Sequence, residues 1–148
     1  MKILVDADAC PVKDIIIRIA GVNGIKVVMF IDTSHILSYE TAEIVTVDKA
    51  RDSVDIALTN RTAKGDIVVT QDYGVAAMSL AKGAYAINQN GLIYNENNMD
   101  QLLFERHISG KLRRSGKKAS GMKKRTKEND ENFEKAFKAL IETARPTI

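Results

Sequence analysis

The residues best suited to chemistry are aspartates that follow apolar runs typical of strands. Asp6 and Asp8 follow the first such run and Asp72 follows a later one. Asp6 and Asp8 are two residues apart, so their side chains point the same way if the strand continues. Converging carboxylates repel one another, and a hard divalent ion such as Mg²⁺ or Mn²⁺ relieves that repulsion. These residues indicate a divalent-metal site, where a bound ion could activate water towards a phosphate.

Two further aspartates extend this candidate cluster. Asp52 and Asp55 are three residues apart in a predicted helix and therefore share one helix face. Helix capping is the simpler explanation for Asp14, Asp48 and Asp66, because aspartate accepts hydrogen bonds from the free N–H groups of a helix N-terminus. Capping explains less well the group formed by Asp6, Asp8, Asp55 and Asp72, since one cap per helix suffices.

Strands and helices alternate along the chain and must position these residues. The apolar pattern predicts strands over residues 2–5, 25–31, 43–47, 67–70 and 84–87, and a short edge strand is an option over 92–94. It predicts helices from Pro11 to Gly21 or Gly24 and over 52–64, 73–82, 99–108 and 131–144. Continuously apolar strands that alternate with helices indicate a parallel sheet covered on both faces. Right-handed crossovers place all the strand carboxyl ends, and hence the aspartates, on one edge, where such sheets bind ligands.

A strongly basic stretch lies near the C-terminus. Residues 106–127 contain ten of the 22 Lys and Arg residues and none of the 19 Asp and Glu residues. The simpler explanation is a solvated loop without a binding role. The functional explanation is a surface that binds a polyanion such as RNA with strong salt dependence. The candidate phosphate contacts are Lys13, Arg113, Arg114, Lys123, Lys124 and Arg125. Few aromatic residues accompany them, so base stacking is not indicated.

Length and composition bound the remaining possibilities. The 148 residues, 45% of them apolar, suffice for one α/β domain over 1–109, with a basic arm or loop over 110–127 and a C-terminal helix over 128–148 that packs on the same domain. The single cysteine, Cys10, excludes an intrachain disulfide. No apolar run approaches the length of a membrane span, and the N-terminus does not resemble a signal peptide, so we expect a cytoplasmic protein.

Long motifs carry a family resemblance. The segments VDADACPVK at residues 5–13 and GDIVVTQDYG at residues 65–74 resemble signatures of the YaiI/YqxD family of uncharacterised bacterial proteins. Shorter matches are DTSH at 32–35, RH at 106–107 and KKRT at 123–126. That family is grouped with PIN-like domains, whose better-known members are Mg²⁺- or Mn²⁺-dependent ribonucleases.

The resemblance implies a fold and a set of roles. It implies a three-layer α/β/α architecture whose mostly parallel five-stranded sheet has the order 3-2-1-4-5, followed by a C-terminal helical extension. By the PIN-like pattern the metal ligands would be Asp6, Asp55 (or Asp52) and Asp72, and Asp8 would be an auxiliary catalytic group. The implied function is a metal-dependent ribonuclease.

Two other functions compete with a nuclease. The first is an RNA- or ribosome-binding module without chemistry, in which the basic arm does the binding. The second is a phosphatase of the haloacid-dehalogenase type, suggested by the pair Asp6 and Asp8, with Thr33 or Ser34 as the required hydroxyl after strand two. The absence of an acidic pair after strand four weighs against the phosphatase. In a nuclease Thr33 and Ser34 would be auxiliary residues that line the same edge.

Overall fold

The computed structural model describes residues 1–32, 37–48, 53–114, 116 and 124–146, with only the backbone of Arg113. Its centre is a six-stranded sheet in the order β3-β2-β1-β4-β5-β6. All neighbouring strands are parallel except β5 and β6, which are antiparallel. The strands are β1 (Lys2–Asp6), β2 (Lys26–Asp32), β3 (Ala42–Val47), β4 (Ile67–Val69), β5 (Tyr85–Ile87) and β6 (Ile93–Tyr94).

In the described part of the chain, five helices cover the two faces of this sheet. They are α1 (Lys13–Asn23), α2 (Val54–Arg61), α3 (Tyr73–Ala81), α4 (Glu96–Arg114) and α5 (Lys127–Ala144). Because side chains alternate along a strand, Ile3 and Val5 of β1 pack with α1 and α5, whereas Leu4 packs on the opposite face with α2 and α3. Helix α4 packs on α3 through a smaller cluster that contains Met99 and Tyr94. The predicted three-layer α/β architecture and the predicted order of the first five strands are confirmed.

Several boundaries differ from the sequence prediction. The optional edge strand is real, so the sheet has six strands, and its last one runs antiparallel after the tight turn at Gly91. Pro11 precedes α1 instead of starting it, and α1 ends at Gly24, which adopts a left-handed conformation. Helix α4 continues to Arg114, so the first residues of the predicted basic arm are helical. Its length was missed because polar residues beyond Ile108 give little apolar periodicity.

Asp66 is not a helix cap, contrary to the sequence prediction. Its carboxylate, buried just before β4, accepts hydrogen bonds from the backbone N–H and the Nζ of Lys2 and from the backbone N–H of Ala63. The charge and N–H groups of these partners hold the pKa of Asp66 below its usual value against the opposing effect of burial. Asp66 therefore fastens the start of β1 to the start of β4.

The turn between β5 and β6 is fastened to α5. Arg125, just before that helix, donates hydrogen bonds to Asp130, to the side chain of Asn90 and to the carbonyl oxygen of Gln89, each at 2.8 Å. Gly91, in the same turn, has a φ of +89°, and a Cβ added there would lie 2.6 Å from the carbonyl oxygen of Asn132. The close approach of the turn to α5 thus requires glycine at position 91.

We expect Gly91→Ala to lower the free energy of unfolding by about 2 kcal/mol or more, because alanine adds both left-handed strain and a backbone clash. The matched control is Gly21→Ala in α1, where an added Cβ meets no atom within 4 Å. That change should raise stability by about 0.5–1 kcal/mol, as alanine usually does in a helix. Urea unfolding of the two variants measures the contrast, and equal midpoints would refute this role for Gly91.

No helix in the described part of the chain is long and apolar enough to cross a membrane. Cys10 is a buried free thiol.

Candidate active site

A cleft of about 480 Å³ opens at the carboxyl ends of β1 and β4. This is the point where the order of parallel strands reverses, because β2 lies on one side of β1 and β4 on the other. The residues that line it are Asp6, Asp8, Ala9, Gln71, Asp72, Tyr73 and Arg106. Three of the four aspartates predicted to be catalytic therefore share one cavity.

Thr70 links two of these aspartates. Its buried hydroxyl donates a 3.0 Å hydrogen bond to Oδ2 of Asp6 and accepts a 3.0 Å hydrogen bond from the backbone N–H of Asp72. The carbonyl oxygen of Thr70 accepts a hydrogen bond from the buried hydroxyl of Tyr94. The carboxylate of Asp6 is thus held in a defined position relative to the start of α3.

The carboxyl group of Asp6 has a raised pKa. The rise is from 3.8 to about 6, burial is its largest cause, and the hydrogen bond from Thr70 opposes it. The negative charges of Asp55, Asp72 and Asp8 contribute smaller parts of the same rise. Asp6 therefore lies within electrostatic range of all three other aspartates.

Asp72 caps helix α3. Its Oδ1 accepts hydrogen bonds from the backbone N–H groups of Gly74 at 2.7 Å and of Val75 at 3.2 Å. Capping had been the weaker expectation for this residue, yet it does not preclude a second role. Both bonds go to one carboxylate oxygen, and the side chain still lines the cleft.

Asp55 comes from the other side of the cluster, in the first turn of α2. The helix begins at Ser53, whose hydroxyl accepts a hydrogen bond from the backbone N–H of Ile56. Because α2 packs against β1, β2 and α3, its first turn comes close to the sheet edge. Burial, and then the charge of Asp72, raise the pKa of Asp55.

Asp8 has a structural contact at the rim of the cleft. Its Oδ2 accepts a 3.2 Å hydrogen bond from the backbone N–H of Asp32, which ties the loop after β1 to the end of β2. In the same loop Ala9 has a φ of +57°, an unusual conformation for alanine. The side-chain amide of Gln71 donates a hydrogen bond to the carbonyl oxygen of Ala9. The loop is therefore held from both neighbouring strands.

The carboxylates of the cleft are of the right type to bind a metal ion, but the positions that the structure describes do not form a complete metal site. Carboxylate oxygens are the ligands that Mg²⁺ and Mn²⁺ prefer, and the raised pKa of Asp6 reflects burial first and then repulsion by the neighbouring carboxylates, which a cation would relieve. However, within the residues that the structure describes, no three His, Cys, Asp or Glu side chains are arranged to hold one ion. Asp52, the alternative ligand, lies outside those residues. Binding would require the aspartate side chains to move towards one another.

Known proteins are similar to this chain over nearly its whole length. Residues 4–143 match the family described as "Uncharacterized BCR, YaiI/YqxD family". The chain belongs to this family. Its similar relatives include the UPF0178 protein of Ruminiclostridium cellulolyticum, which is 62% identical over 141 residues that cover 95% of this chain and 92% of the relative. The UPF0178 protein of Alkaliphilus oremlandii is 58% identical over 91% of this chain and 87% of its own length. The family inferred from the motifs is confirmed.

One solved structure is also similar in outline. It is the crystal structure of Rae1 (YacP) from Bacillus subtilis in its W164L mutant form, at 17% identity and a TM-score of 0.45. The match covers 98% of this chain and all of that one. At this TM-score the similarity supports no conclusion about function.

The predicted phosphate contacts have different surroundings. Arg125 uses all three guanidinium nitrogens in hydrogen bonds, one to Asp130 of α5 and two to the β5–β6 turn, and its predicted contact with phosphate stays a prediction. Lys13 donates a hydrogen bond from Nζ to the carbonyl oxygen of Ala7 and so supports the loop after β1. Arg114 and Lys124 are exposed. Besides Asp52, four predicted site features lie outside the described residues, namely Thr33, Ser34, Lys123 and the side chain of Arg113.

Three residues of the site were not singled out by sequence reasoning. Thr70 was interpreted as a strand residue, Tyr73 only as a helix start, and Arg106 only as part of a family motif. In the structure the guanidinium of Arg106 lies over the ring of Tyr73, 6.0 Å from its centroid, and both line the aspartate cleft. The only available signal was that Thr70 and Tyr73 lie in the same motif as Asp72, residues 65–74, and that Arg106 lies in the separate match at 106–107.

Proposed function

We propose that this protein is a divalent-cation-dependent nuclease that hydrolyses RNA phosphodiesters at the aspartate cleft. One observation carries the proposal: Asp6, Asp55 and Asp72 come from three separate elements and lie within electrostatic range of one another at one edge of the sheet. Burial raises the pKa of Asp6 and of Asp55, the charge of Asp72 adds to both rises, and the charge of Asp55 adds to that of Asp6. A purely structural set of carboxylates would be expected to pair with cations, as Asp66 does with Lys2. The resemblance of the family to PIN-like ribonucleases supports the same function by analogy.

The residues of the cleft have distinct roles in this proposal. Asp6, Asp55 and Asp72 would hold Mg²⁺ or Mn²⁺, with Asp8 or Asp52 as further ligands. The cation would supply Lewis-acid activation of water and stabilise charge on the phosphate. Asp6 holds a proton up to about pH 6 in the free protein, so it must release that proton before it acts as a ligand in mildly acidic solution. Thr70 orients Asp6 by hydrogen bonding, and the α3 cap orients Asp72.

A cleavage assay tests the proposal. We expect purified protein to shorten single-stranded RNA in Mn²⁺ or Mg²⁺ and to leave it intact in EDTA, with activity restored when excess Mn²⁺ is returned. Removal of the chelated metal should abolish cleavage because the carboxylates alone provide no Lewis acid. RNA that stays intact in Mn²⁺, with a range of substrates, would contradict the proposal.

The competing function is an RNA-binding module without chemistry. It is favoured by the finding that no three acidic side chains of the described part of the chain are arranged for one ion. In that case RNA would bind equally well with Mn²⁺ and with EDTA and would not be cleaved in either. The same assay, followed by a gel-shift measurement, separates the two functions.

A further inference from the structure

A second, smaller cavity adjoins the aspartate cleft. It has a volume of about 310 Å³ and is lined by Leu103, Arg106, His107, Gly110 and Arg114, all from α4. Arg106 lines both cavities, so it lies where the aspartate cleft and the groove on α4 neighbour each other. Nothing in the proposed chemistry uses this groove.

Arg106, at the junction, is available for an anion. Although it shares the cleft with Asp6 and Asp72, no ion pair joins it to a carboxylate in the described ranges of the chain. Its guanidinium instead rests over the Tyr73 ring, a favourable cation–π arrangement. The Tyr73 ring in turn packs edge-on, 6.0 Å from the ring of buried Tyr94. The support beneath the guanidinium is therefore fixed.

The groove follows one side of the helix. Residues 103, 106, 107, 110 and 114 recur at intervals of three and four, so they line a single face. Arg106 and Arg114 are eight residues apart, which is about 12 Å along the helix axis. Gly110, between them, has no side chain to obstruct the groove. Since Arg106 and Arg114 line the groove and no acidic residue is among its lining, the groove suits an extended anion rather than a cation or an apolar peptide.

We propose that the α4 groove binds the sugar–phosphate backbone of a single RNA strand, which runs from the aspartate cleft past Arg106 towards Arg114. Arg106 contacts the phosphate adjacent to the one at the aspartates, and Arg114 contacts a phosphate further along. A positively charged groove that tracks the backbone is how many proteins bind single strands without sequence preference. The identity of the strand as RNA rests on the proposed function. The presence of the groove and of its two arginines does not depend on that function.

The test is binding without cleavage. Fluorescence anisotropy in EDTA would measure the affinity for a labelled single-stranded RNA of roughly 12 nucleotides, within the usual site size. Arg106→Gln and Arg114→Gln should each weaken binding about threefold to tenfold and lower the slope of log K against log salt by roughly 0.7 per lost contact. The matched control is Lys135→Gln, an equal charge change on exposed α5 across the sheet, which should leave both quantities unchanged.

A second pair of variants examines the support of Arg106. Tyr73→Leu removes the ring and should weaken binding about threefold, whereas Tyr73→Phe keeps the ring and should weaken it less. Adding Arg106→Gln to Tyr73→Leu should then cost less than Arg106→Gln costs alone, because the two residues act together. Additive losses would show that the ring does not support the guanidinium.

The outcomes keep the two proposals distinct. If wild type fails to bind RNA in EDTA, or if Lys135→Gln weakens binding as much as Arg106→Gln, the groove is not the binding surface. If binding depends on Arg106 and Arg114 but RNA is never cleaved in Mn²⁺, the groove stands and the nuclease proposal falls. The assignment would also be overturned if a cellular protein bound more tightly than RNA and if Arg106→Gln and Arg114→Gln abolished that binding.

Discussion

Asp72→Asn is expected to reduce metal-dependent RNA cleavage by about a hundredfold to ten-thousandfold, the usual effect of removing a catalytic carboxylate. It should barely change the free energy of unfolding, because asparagine caps a helix as well as aspartate does. Its Oδ1 can still accept the hydrogen bonds from Gly74 and Val75. Single-turnover cleavage in Mn²⁺ and urea unfolding in EDTA measure the two effects separately.

Asp72→Ala is the matched comparison for that prediction. Alanine removes both the carboxylate and the cap of α3, so it should lose cleavage to the same degree and also about 1 kcal/mol of stability. The difference between the two variants isolates the chemical role of Asp72 from its structural one. Full cleavage by Asp72→Asn would show that the carboxylate is only a cap.

Asp6→Asn is expected to stabilise the metal-free protein at neutral pH. A rise in the pKa of Asp6 from 3.8 to about 6 means that the ionised group destabilises the fold by up to about 3 kcal/mol. Asparagine removes that charge but can still accept the hydrogen bond from Thr70. The gain should appear as a higher urea midpoint in EDTA at pH 7.5, together with loss of RNA cleavage in Mn²⁺.

The stabilisation by Asp6→Asn should depend on pH. The native state holds the Asp6 proton up to about pH 6, whereas the unfolded state releases it near pH 3.8. Between these values the native state binds more protons, so stability falls as pH rises. The advantage of Asp6→Asn should therefore shrink from as much as about 3 kcal/mol at pH 7.5 to about 1 kcal/mol at pH 4.5. An advantage of equal size at both pH values, or none, would contradict the perturbed pKa.

The sequence was sufficient to predict where the aspartates would lie. Because parallel strands joined by right-handed crossovers present their carboxyl ends at one edge, Asp6, Asp8 and Asp72 had to meet once the strands were identified. Periodicity also identified all five helices, although it shortened α4 and α5. Helix ends depend on local capping and tertiary contacts more than on apolar spacing, which is why these boundaries were less certain.

The fine structure of the site depends on contacts that local sequence does not encode. Arg125 sits in a basic run and appeared free to bind phosphate, yet its partner Gln89 is 36 residues away. Thr70 bonds to Asp6 across 64 residues, and only the pairing of β1 with β4 brings them together. Arg106 reaches the cleft only because α4 packs on α3.

The central claim, that the aspartates bind a divalent cation, is tested most directly by the melting temperature with and without millimolar Mn²⁺. At a hundredfold excess over Kd, an ion that binds only the folded state adds about 2.7 kcal/mol of stability. We expect the wild type to gain several degrees and Asp72→Asn to gain almost nothing, because the variant lacks one of the proposed carboxylate ligands. An equal shift in both proteins, or no shift in either, would contradict a metal site at the aspartate cleft.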